Sequence, residues 1–367
     1  MNLSVGIVGL PNVGKSTLFN ALLKKQQAFV ANFPFATIEP NVGVVPVPDV
    51  RLEKLADMIR QTENLDHMPP LVPATVEFVD IAGLIAGAHK GEGLGNKFLA
   101  HIRETNAICH VVRAFSDLDI IKHGSVAPKQ DFEVVQTELL LADMQTLDKQ
   151  KDPGVTPDKE AQKRWSVMKK IKTALSQGIS GRDIRLAKDE QPYARDVHLL
   201  TAKPILIALN VSEDDLKNAD ELEKKYAAEF GVGIDQVIAI CAKTEMQLAD
   251  LPESEQVAYL ESFGIAKSGL ERIIVKAFAT LGLMTFLTAG EKEVRAWTIQ
   301  KGMTAPEAAG VIHTDFQEKF IRMDAIHWEK LIQAPGWTAA RQKGLIRSEG
   351  KEYVVQEGDV IIVKHNA

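Results

Sequence analysis

A loop near the N-terminus carries the residues best suited to chemistry. Residues Gly9–Ser16 fit the pattern G-x-x-x-x-G-K-[ST], between an apolar strand-like run and a helix-like run. Gly9 and Gly14 let the backbone curl so that its N–H groups point at phosphate oxygens. Lys15 places a charge between the β- and γ-phosphates, and Ser16 offers a hydroxyl to Mg²⁺. The full pattern with these flanks predicts a nucleoside triphosphate site and disfavours an ordinary glycine-containing turn.

Further phosphate and metal candidates lie downstream of this loop. Asp80 ends a strand-like run, where a carboxylate can hold Mg²⁺ through water, and the amide of Gly83 can approach a γ-phosphate. Thr37 is the candidate for a mobile hydroxyl that closes on Mg²⁺, although a plain loop threonine between two prolines fits equally well. His123 can approach the γ-phosphate, but an exposed loop histidine is the commoner case. Leu84 stands where Ras-like switches carry a water-orienting glutamine, which predicts slow hydrolysis or help from another group.

A later strand is followed by residues suited to reading the base. Guanine-specific switches present Asn-Lys-x-Asp at such a place, whereas this chain has Asn210-Val211-Ser212-Glu213 after the run 204–209. The longer Glu213 weakens guanine selection, because a bidentate carboxylate discriminates strongly only in the right geometry. Backbone groups near Val211 can instead read the amino group of adenine. Asn210 is predicted to contact the base, with a helix N-cap or turn residue as the alternative.

Three predicted parts of the chain would position these residues. Residues 1–125 and 200–280 form a predicted nucleotide-binding domain, residues 126–199 an inserted helical hairpin, and residues 281–367 a C-terminal domain. In the insertion, apolar residues recur at three- and four-residue steps on two segments separated by a Pro-Gly break. The stretch 149–190 holds 11 Lys/Arg and 6 Asp/Glu. This local positive excess suits contact with RNA or the ribosome, and a merely solvated surface is the alternative.

Short strands dominate the C-terminal domain. The apolar residues between Val294 and Ile299 predict a strand, and Thr304 with Glu307 predicts a capped helix start. The runs 353–355 and 360–363 flank a turn-like sequence and predict a β-hairpin. Acidic and basic residues are balanced here, which favours a protein or mixed RNA–protein contact over a platform for phosphates.

The composition limits the classes of function that the chain can have. Its 367 residues are 45% hydrophobic and 25% charged, which suits a globular protein of more than one domain. The net charge of -6 argues against bulk capture of nucleic acid, and we expect no sequence-specific DNA binding. Only Cys109 and Cys241 are cysteines, so a disulfide framework and a cysteine-based zinc site are excluded. Without a signal peptide or an apolar run of about 20 residues, we expect a cytoplasmic protein with no membrane partner.

Taken together, these motifs resemble one family. The chain resembles the Obg-like ATPases, specifically the YchF subfamily of P-loop NTPases in the TRAFAC/Obg group. The resemblance covers nearly the whole chain and rests on the stretches Gly9–Thr17, Asn32–Asn41, Asp80–Arg103, Asn210–Glu213 and Ala289–Phe320. It implies an α/β fold with a Ras-like P-loop domain, an inserted α-helical hairpin and a C-terminal β-grasp domain of the ubiquitin-like TGS type. One departure is Gln61–Pro73, which is longer than the usual linker and affects no nucleotide residue.

The resemblance also implies roles for site residues. Members of the family look like translation-type GTPases but prefer ATP, and they carry a hydrophobic residue at the position of Leu84. It implies that Ser16 and Thr37 hold Mg²⁺ and that the backbone of Val211 contacts adenine. Together with the motifs, it yields three predicted groups: catalytic Lys15, Gly83 and His123; nucleotide-binding Asn12, Val13, Gly14, Lys15, Ser16, Thr17, Asn210 and Val211; and metal-binding Ser16, Thr37 and Asp80.

From these observations we predict a slow, Mg²⁺-dependent ATPase. It would hydrolyse ATP to ADP and phosphate, act as a nucleotide-driven conformational switch and associate with the ribosome. Asn12 adds an expectation about K⁺, because an asparagine at that loop position helps hold a monovalent cation in related NTPases. Two alternatives remain open: a GTPase of ribosome assembly, and a nucleotide-stabilised module that binds RNA or the ribosome without turnover.

Overall fold

The structure is a computed structural model of the full chain, and it describes residues 3–32, 41–81, 94–115, 127–154, 156, 158–265 and 267–366. The strands are β1 (Ser4–Val8), β2 (Val42–Pro46), β3 (Leu71–Val72), β4 (Thr75–Asp80), β5 (Ala107–Arg113), β6 (Ile205–Asn210), β7 (Val237–Ile240), β8 (Leu283–Ala289), β9 (Val294–Gln300), β10 (Phe320–His327), β11 (Arg347–Glu349) and β12 (Asp359–His365). The helices are α1 (Lys15–Asn32), α2 (Val50–Thr62), α3 (Leu94–Glu104), α4 (Pro128–Asp148), α5 (Lys159–Ser176), α6 (Gln191–Arg195), α7 (Ala219–Phe230), α8 (Ala242–Leu248), α9 (Glu253–Ser262), α10 (Gly269–Thr280), α11 (Ala305–Ile312), α12 (Thr314–Glu318), α13 (Trp328–Gln333) and α14 (Trp337–Gln342). Short 3-10 helices occupy Gly181–Asp183, Asp214–Asn218 and Ile234–Gln236.

Contacts divide the chain into two compact units. The first comprises Met1–Val45 and Glu77–Leu281, and the second comprises Pro46–Val76 and Gly282–Ala367. The predicted nucleotide-binding domain includes residues 46–76, and with them the long stretch Gln61–Pro73, whereas in the structure these residues group with residues 282–367. The predicted three-part division remains a prediction, and this grouping is the point at which the observed units differ from it.

The first unit is built on a sheet whose strands follow the order β2-β4-β1-β5-β6-β7. β1 pairs in parallel with β4 and β5, β5 pairs in parallel with β6, and β6 pairs in parallel with β7. Because parallel strands point the same way, the residues that follow each of these five strands emerge at one edge of the sheet. This edge gathers loops that are far apart in the sequence.

Helices cover both faces of this sheet. Every residue of β6 is buried. Ile205, Ile207 and Leu209 join a core cluster with residues of α3, α4 and α7. Side chains alternate along a strand, so the buried Leu206 and Ala208 face the opposite side, where α10 packs against β6. Burial on both faces explains why this strand reads as an unbroken apolar run instead of an alternating one.

The inserted segment forms the predicted pair of helices, α4 and α5. Val167, Met168, Ile171 and Leu175 of α5 pack with Leu147 of α4 in a separate apolar cluster. The side chain of Asp158 accepts hydrogen bonds from the first turn of α5, which fixes where that helix begins. Neither these helices nor any others in the described ranges are long and apolar enough to cross a membrane.

The second unit contains a mixed sheet in the order β11-β10-β12-β8-β9-β3. The predicted capping box at Thr304 and Glu307 starts α11, whose alanines pack into the core of this sheet. β3 pairs in parallel with β9, and the Arg51 side chain of α2 donates a 2.7 Å hydrogen bond to Thr285 Oγ1 of β8. These contacts explain why residues 46–76 belong to this unit.

The hairpin predicted from residues 353–363 is wrong. β12 instead pairs antiparallel with β10 and parallel with β8. Val354 forms an isolated bridge with Thr304. A turn does precede β12 at residues 357–358. The two strands that pair with β12, however, come from distant parts of the sequence.

Candidate functional site

The predicted phosphate loop connects β1 to α1 with an unusual backbone. Gly9 and Gly14 have φ values of 154° and 100°, and Asn12 adopts the left-handed region at φ 61°. A Cβ atom on Gly9 would lie 2.5 Å from the carbonyl oxygen of Val111, so a side chain does not fit there. The curl that these residues allow leads directly into the first turn of α1, where unpaired N–H groups attract anions.

Lys15 lies at the start of α1 with little exposed surface, 8%. Its Nζ donates a 2.6 Å hydrogen bond to the carbonyl oxygen of Leu10, within the same loop. Burial lowers the pKa of Lys15, and the nearby Asp80 carboxylate acts in the opposite direction. Burial likewise raises the pKa of Asp80, and Lys15 opposes that shift. The two predicted phosphate elements are therefore neighbours that influence each other electrostatically.

Asn210 joins two loops of the site. The side chain is 4% exposed; Nδ2 donates a 2.9 Å hydrogen bond to the carbonyl oxygen of Val13, and Oδ1 accepts one of 3.0 Å from the backbone N–H of Ala242. A Cβ atom on Gly14 would collide with Nδ2 of Asn210. Asn210 thus ties the phosphate loop to the loop after β7, a role that neither interpretation of the sequence included.

The backbone of Val211 extends the edge of the sheet. Its N–H donates a 2.8 Å hydrogen bond to the carbonyl oxygen of Ile240, and its side chain is 2% exposed. The N–H is therefore occupied within the protein. The backbone group of Val211 that remains suited to a base is its carbonyl oxygen, which accepts hydrogen bonds and does not donate them.

A cavity of about 530 Å³ opens at this edge of the sheet. The phosphate loop forms one part of its wall, and the loops after β5, β6 and β7 form the rest. The lining residues are Asn12, Gly14, Lys15, Ser16, Thr17, Phe115, Asn210, Val211, Ser212, Glu213, Cys241, Ala242 and Lys243. The volume lies within the range of small-molecule sites.

The structure brings most of the predicted nucleotide residues together. Val13 does not line the cavity. Its side chain is buried, and its carbonyl oxygen accepts the hydrogen bond from Asn210. Thr37, Gly83 and His123, together with the Leu84 position, lie outside the described residues. The roles given to them remain predictions.

Phe115 lines the cavity and was missed in the sequence. It follows β5 at the same edge, and the guanidinium of Arg113 lies 4.7 Å from the centre of its ring. Arg113 Nε also donates a 3.1 Å hydrogen bond to the Phe115 carbonyl oxygen. Its position just beyond a buried strand was the available signal, since β1, β6 and β7 of this sheet also end at the site. Lys243, in the first turn of α8, also lines the cavity.

β5 also contains a buried histidine. His110 in β5 is 1% exposed and stacks on Phe132 at 5.4 Å. Burial lowers its pKa to about 3, and the positive charges of Lys15 and Arg182 act in the same direction. It therefore belongs to the core and not to the cavity wall.

Five strands of the sheet are parallel, the phosphate loop lies at their carboxyl edge, and this loop shares a cavity with the loops after β6 and β7. These features define a P-loop nucleotide-binding protein. Two family models match: one described as "50S ribosome-binding GTPase" over residues 4–143, and one described as "Protein of unknown function (DUF933)" over residues 283–366. The ribosome-binding ATPase YchF of Bacillus subtilis is 47% identical over the full length of both chains. That of Mycoplasma genitalium is 44% identical over 99% of both. The chain belongs to the YchF family.

A solved structure supports the same assignment. The YchF GTPase of Schizosaccharomyces pombe matches with a TM-score of 0.85 and 36% identity, over 99% of this chain and 98% of that one. The family resemblance and the predicted fold class are confirmed. The sheet of residues 282–367 is consistent with the predicted β-grasp domain.

Proposed function

We propose that this protein is a Mg²⁺-dependent ATPase that works as a slow nucleotide switch. The observation that carries the proposal is the single cavity shared by the phosphate loop and the loops after β6 and β7. A triphosphate placed along it would meet Lys15 and the start of α1 at one end and Val211 at the other. The YchF relatives, which are named ATPases, support the same activity.

The preference for ATP rests on the chemistry offered by Val211. Its N–H is hydrogen-bonded to the carbonyl oxygen of Ile240, so the backbone group that Val211 can offer to a base is its carbonyl oxygen, an acceptor. Adenine presents an amino donor where guanine presents a carbonyl acceptor, so an acceptor in the wall favours adenine. Asn210 supports this selection indirectly by fixing the loop that carries Val211, and direct contact with the base remains a prediction.

Mg²⁺ suits the oxygen groups beside the phosphate loop. The Ser16 hydroxyl lines the cavity, and the Asp80 carboxylate lies close enough to Lys15 to influence its pKa. Mg²⁺ commonly takes few protein ligands and completes its coordination with phosphates and water, which this pair would allow. When bound, the ion would neutralise charge that develops on the γ-phosphate. Thr37 as a further ligand, and K⁺ near Asn12, stay predictions.

We further propose that the protein associates with the ribosome in the cytoplasm. The relatives from Bacillus subtilis and Haemophilus influenzae are named ribosome-binding ATPases, and each matches over the whole chain. The positive excess of residues 149–190 lies on α5 of the inserted hairpin. Electrostatic attraction to ribosomal RNA would give this surface a role in contact.

Hydrolysis of ATP and GTP, measured in parallel with and without ribosomes, tests the proposal. We expect ATP turnover to be slow but faster than GTP turnover. We also expect the rate of ATP turnover to change when ribosomes are added. Replacing K⁺ with Na⁺ in the same assay tests the predicted cation. Absence of turnover with either nucleotide, even with K⁺ and ribosomes, would support the binding module instead.

One observation favours a GTPase as the second candidate. Glu213 keeps a carboxylate in the cavity wall at the position where guanine readers have aspartate. The hydroxyl of Tyr259 lies 3.5 Å from Glu213 Oε1 and 3.0 Å from Gln247 Oε1, so it holds this carboxylate only loosely. Tighter binding of GTP than of ATP in a competition assay would select this candidate.

A further inference from the structure

A second cavity, away from the nucleotide site, is lined by residues of α5 and of the segment that leads from α5 to β6. Its volume is about 540 Å³, and we call it the α5–β6 pocket. Its floor is aliphatic, formed by Ile171, Ile184, Leu186 and Leu199, which belong to the apolar cluster of the hairpin or pack against it. None of its lining residues lines the nucleotide cavity.

The polar rim of the α5–β6 pocket is cationic. Arg182, Arg185 and Arg195 line it, and no carboxylate does. Arg185 and Arg195 are exposed, and their side chains form no hydrogen bond or ion pair with any residue in the described part of the chain. The nearby Asp189 and Glu190 are already engaged, with Lys163 and Lys170 respectively. The guanidinium groups of Arg185 and Arg195 can therefore pair with a ligand that covers the apolar floor.

The wall of the pocket is held in place by buried hydrogen bonds. Asp143 accepts bonds from Leu200 N at 2.7 Å, from Thr201 N at 2.8 Å and from Thr201 Oγ1 at 2.6 Å. Thr201 Oγ1 in turn accepts a 2.9 Å bond from Gly181 N, and the Thr201 carbonyl accepts one of 3.0 Å from Arg182 Nε. A ligand would meet a preformed surface, which lowers the entropic cost of binding.

We propose that the α5–β6 pocket binds a peptide segment whose apolar side chains are flanked by carboxylates. The floor would take one or two aliphatic or aromatic side chains, and Arg185 and Arg195 would pair with the flanking carboxylates, for which arginine forks are well suited. RNA fits less well, because no aromatic side chain lines the pocket for a base to stack on. The site needs no nucleotide and is independent of the proposed ATPase.

Fluorescence anisotropy with the full-length protein tests this site. The probe is the peptide Glu-Asp-Leu-Phe-Asp-Leu-Glu-amide, labelled with fluorescein at its N-terminal amine. A second peptide replaces Leu and Phe with Ser and keeps every charge, and a labelled oligouridylate represents RNA. The pocket variant is Arg185→Ala with Arg195→Ala. The control is Arg164→Ala with Lys159→Ala, which removes two exposed charges from α5 outside the pocket.

The proposal predicts a definite outcome for each of these measurements. The pocket variant should weaken binding of the apolar–acidic peptide about tenfold or more, and the control variant less than about twofold. The serine peptide should bind at least about tenfold more weakly than its parent. The proposal fails if the parent peptide does not bind, if both variants weaken it equally, or if the serine peptide binds as well. Oligouridylate binding that only the pocket variant abolishes would replace the peptide with RNA.

Discussion

Asn210 illustrates how one side chain can join separate parts of a site. Its amide has a donor and an acceptor on opposite sides, and the structure uses one for Val13 and the other for Ala242. Gly14 leaves the space that this arrangement needs. An aspartate would lack the donor and a leucine would lack both groups, so the amide is the group that fits.

Removing this bridge should loosen the phosphate loop. Asn210→Ala leaves the Val13 carbonyl and the Ala242 N–H without their partner, so we expect ATP affinity to fall about tenfold. Isothermal titration calorimetry measures the change. Asn218→Ala, at an exposed position whose side chain makes no capping bond, is the matched control. Equal affinities for the two variants would contradict the bridging role.

Lys15 has the most direct predicted role. Lys15→Ala removes the positive charge beside the bound phosphates, and we expect tight ATP binding to be lost, by about a hundredfold or more. Lys24→Ala on the same helix breaks only a surface ion pair with Asp250 and should leave affinity unchanged. Undiminished affinity of the Lys15 variant by calorimetry would refute the site.

At the scale of elements, the end of the inserted hairpin depends on a buried carboxylate. Asp143 on α4 accepts three hydrogen bonds from the segment that leads into β6. Burial raises its pKa, and the bonds from Thr201 and Leu200 oppose that shift. The residue therefore connects the hairpin to the sheet that carries the nucleotide site.

Asp143→Asn tests this connection without changing the size of the side chain. The Asn amide can accept at one end, but its NH₂ group would face a backbone N–H at the other. We expect a loss of about 1–3 kcal/mol in the free energy of unfolding, measured in urea. Asp148→Asn, at an exposed ion pair with Lys172 near the end of the same helix, should change stability by less than about 0.5 kcal/mol. A similar small effect for both would argue against the connection.

At the scale of the whole molecule, acid stability should depend on the sheet core. His110 lies in a central strand, and its Nδ1 has no hydrogen-bond partner among the described residues. Burial lowers its pKa from 6.5 to about 3 in the folded protein. The unfolded chain therefore binds a proton below pH 6.5 while the folded protein does not, so stability falls as the pH falls through this window.

Replacing the histidine should remove this part of the acid sensitivity. The native protein should lose about 1.4 kcal/mol of stability per pH unit from His110 between about pH 6 and pH 4. His110→Leu should flatten the pH dependence by that amount, whereas His101→Leu, at an exposed position on α3, should not. Urea unfolding at a series of pH values measures both. Parallel pH profiles for the His110 variant and the native protein would contradict the prediction.

Local patterns in the sequence predicted much of the fold and of the site. The phosphate loop, the strand before Asp80, the two hairpin helices and the capping box at Thr304 are all recognisable because their signals lie within a few residues. The predicted hairpin at 353–363 failed for the opposite reason. The partners of β12 come from β8 and β10, and nothing near the turn indicates them.

By itself, the sequence determined the chemistry of phosphate binding, since curled backbone, lysine and serine must be adjacent in the chain to surround one group. Tertiary structure alone decided three long-range arrangements: the hydrogen bond from Asn210 to Val13, the place of Phe115 in the cavity wall, and the pairing of β3 with β9. These contacts link residues that are distant along the chain. Parallel pairing and packing in the sheets bring them together. A buried strand can be recognised from its apolar run, but the local sequence does not say which distant segment it will meet.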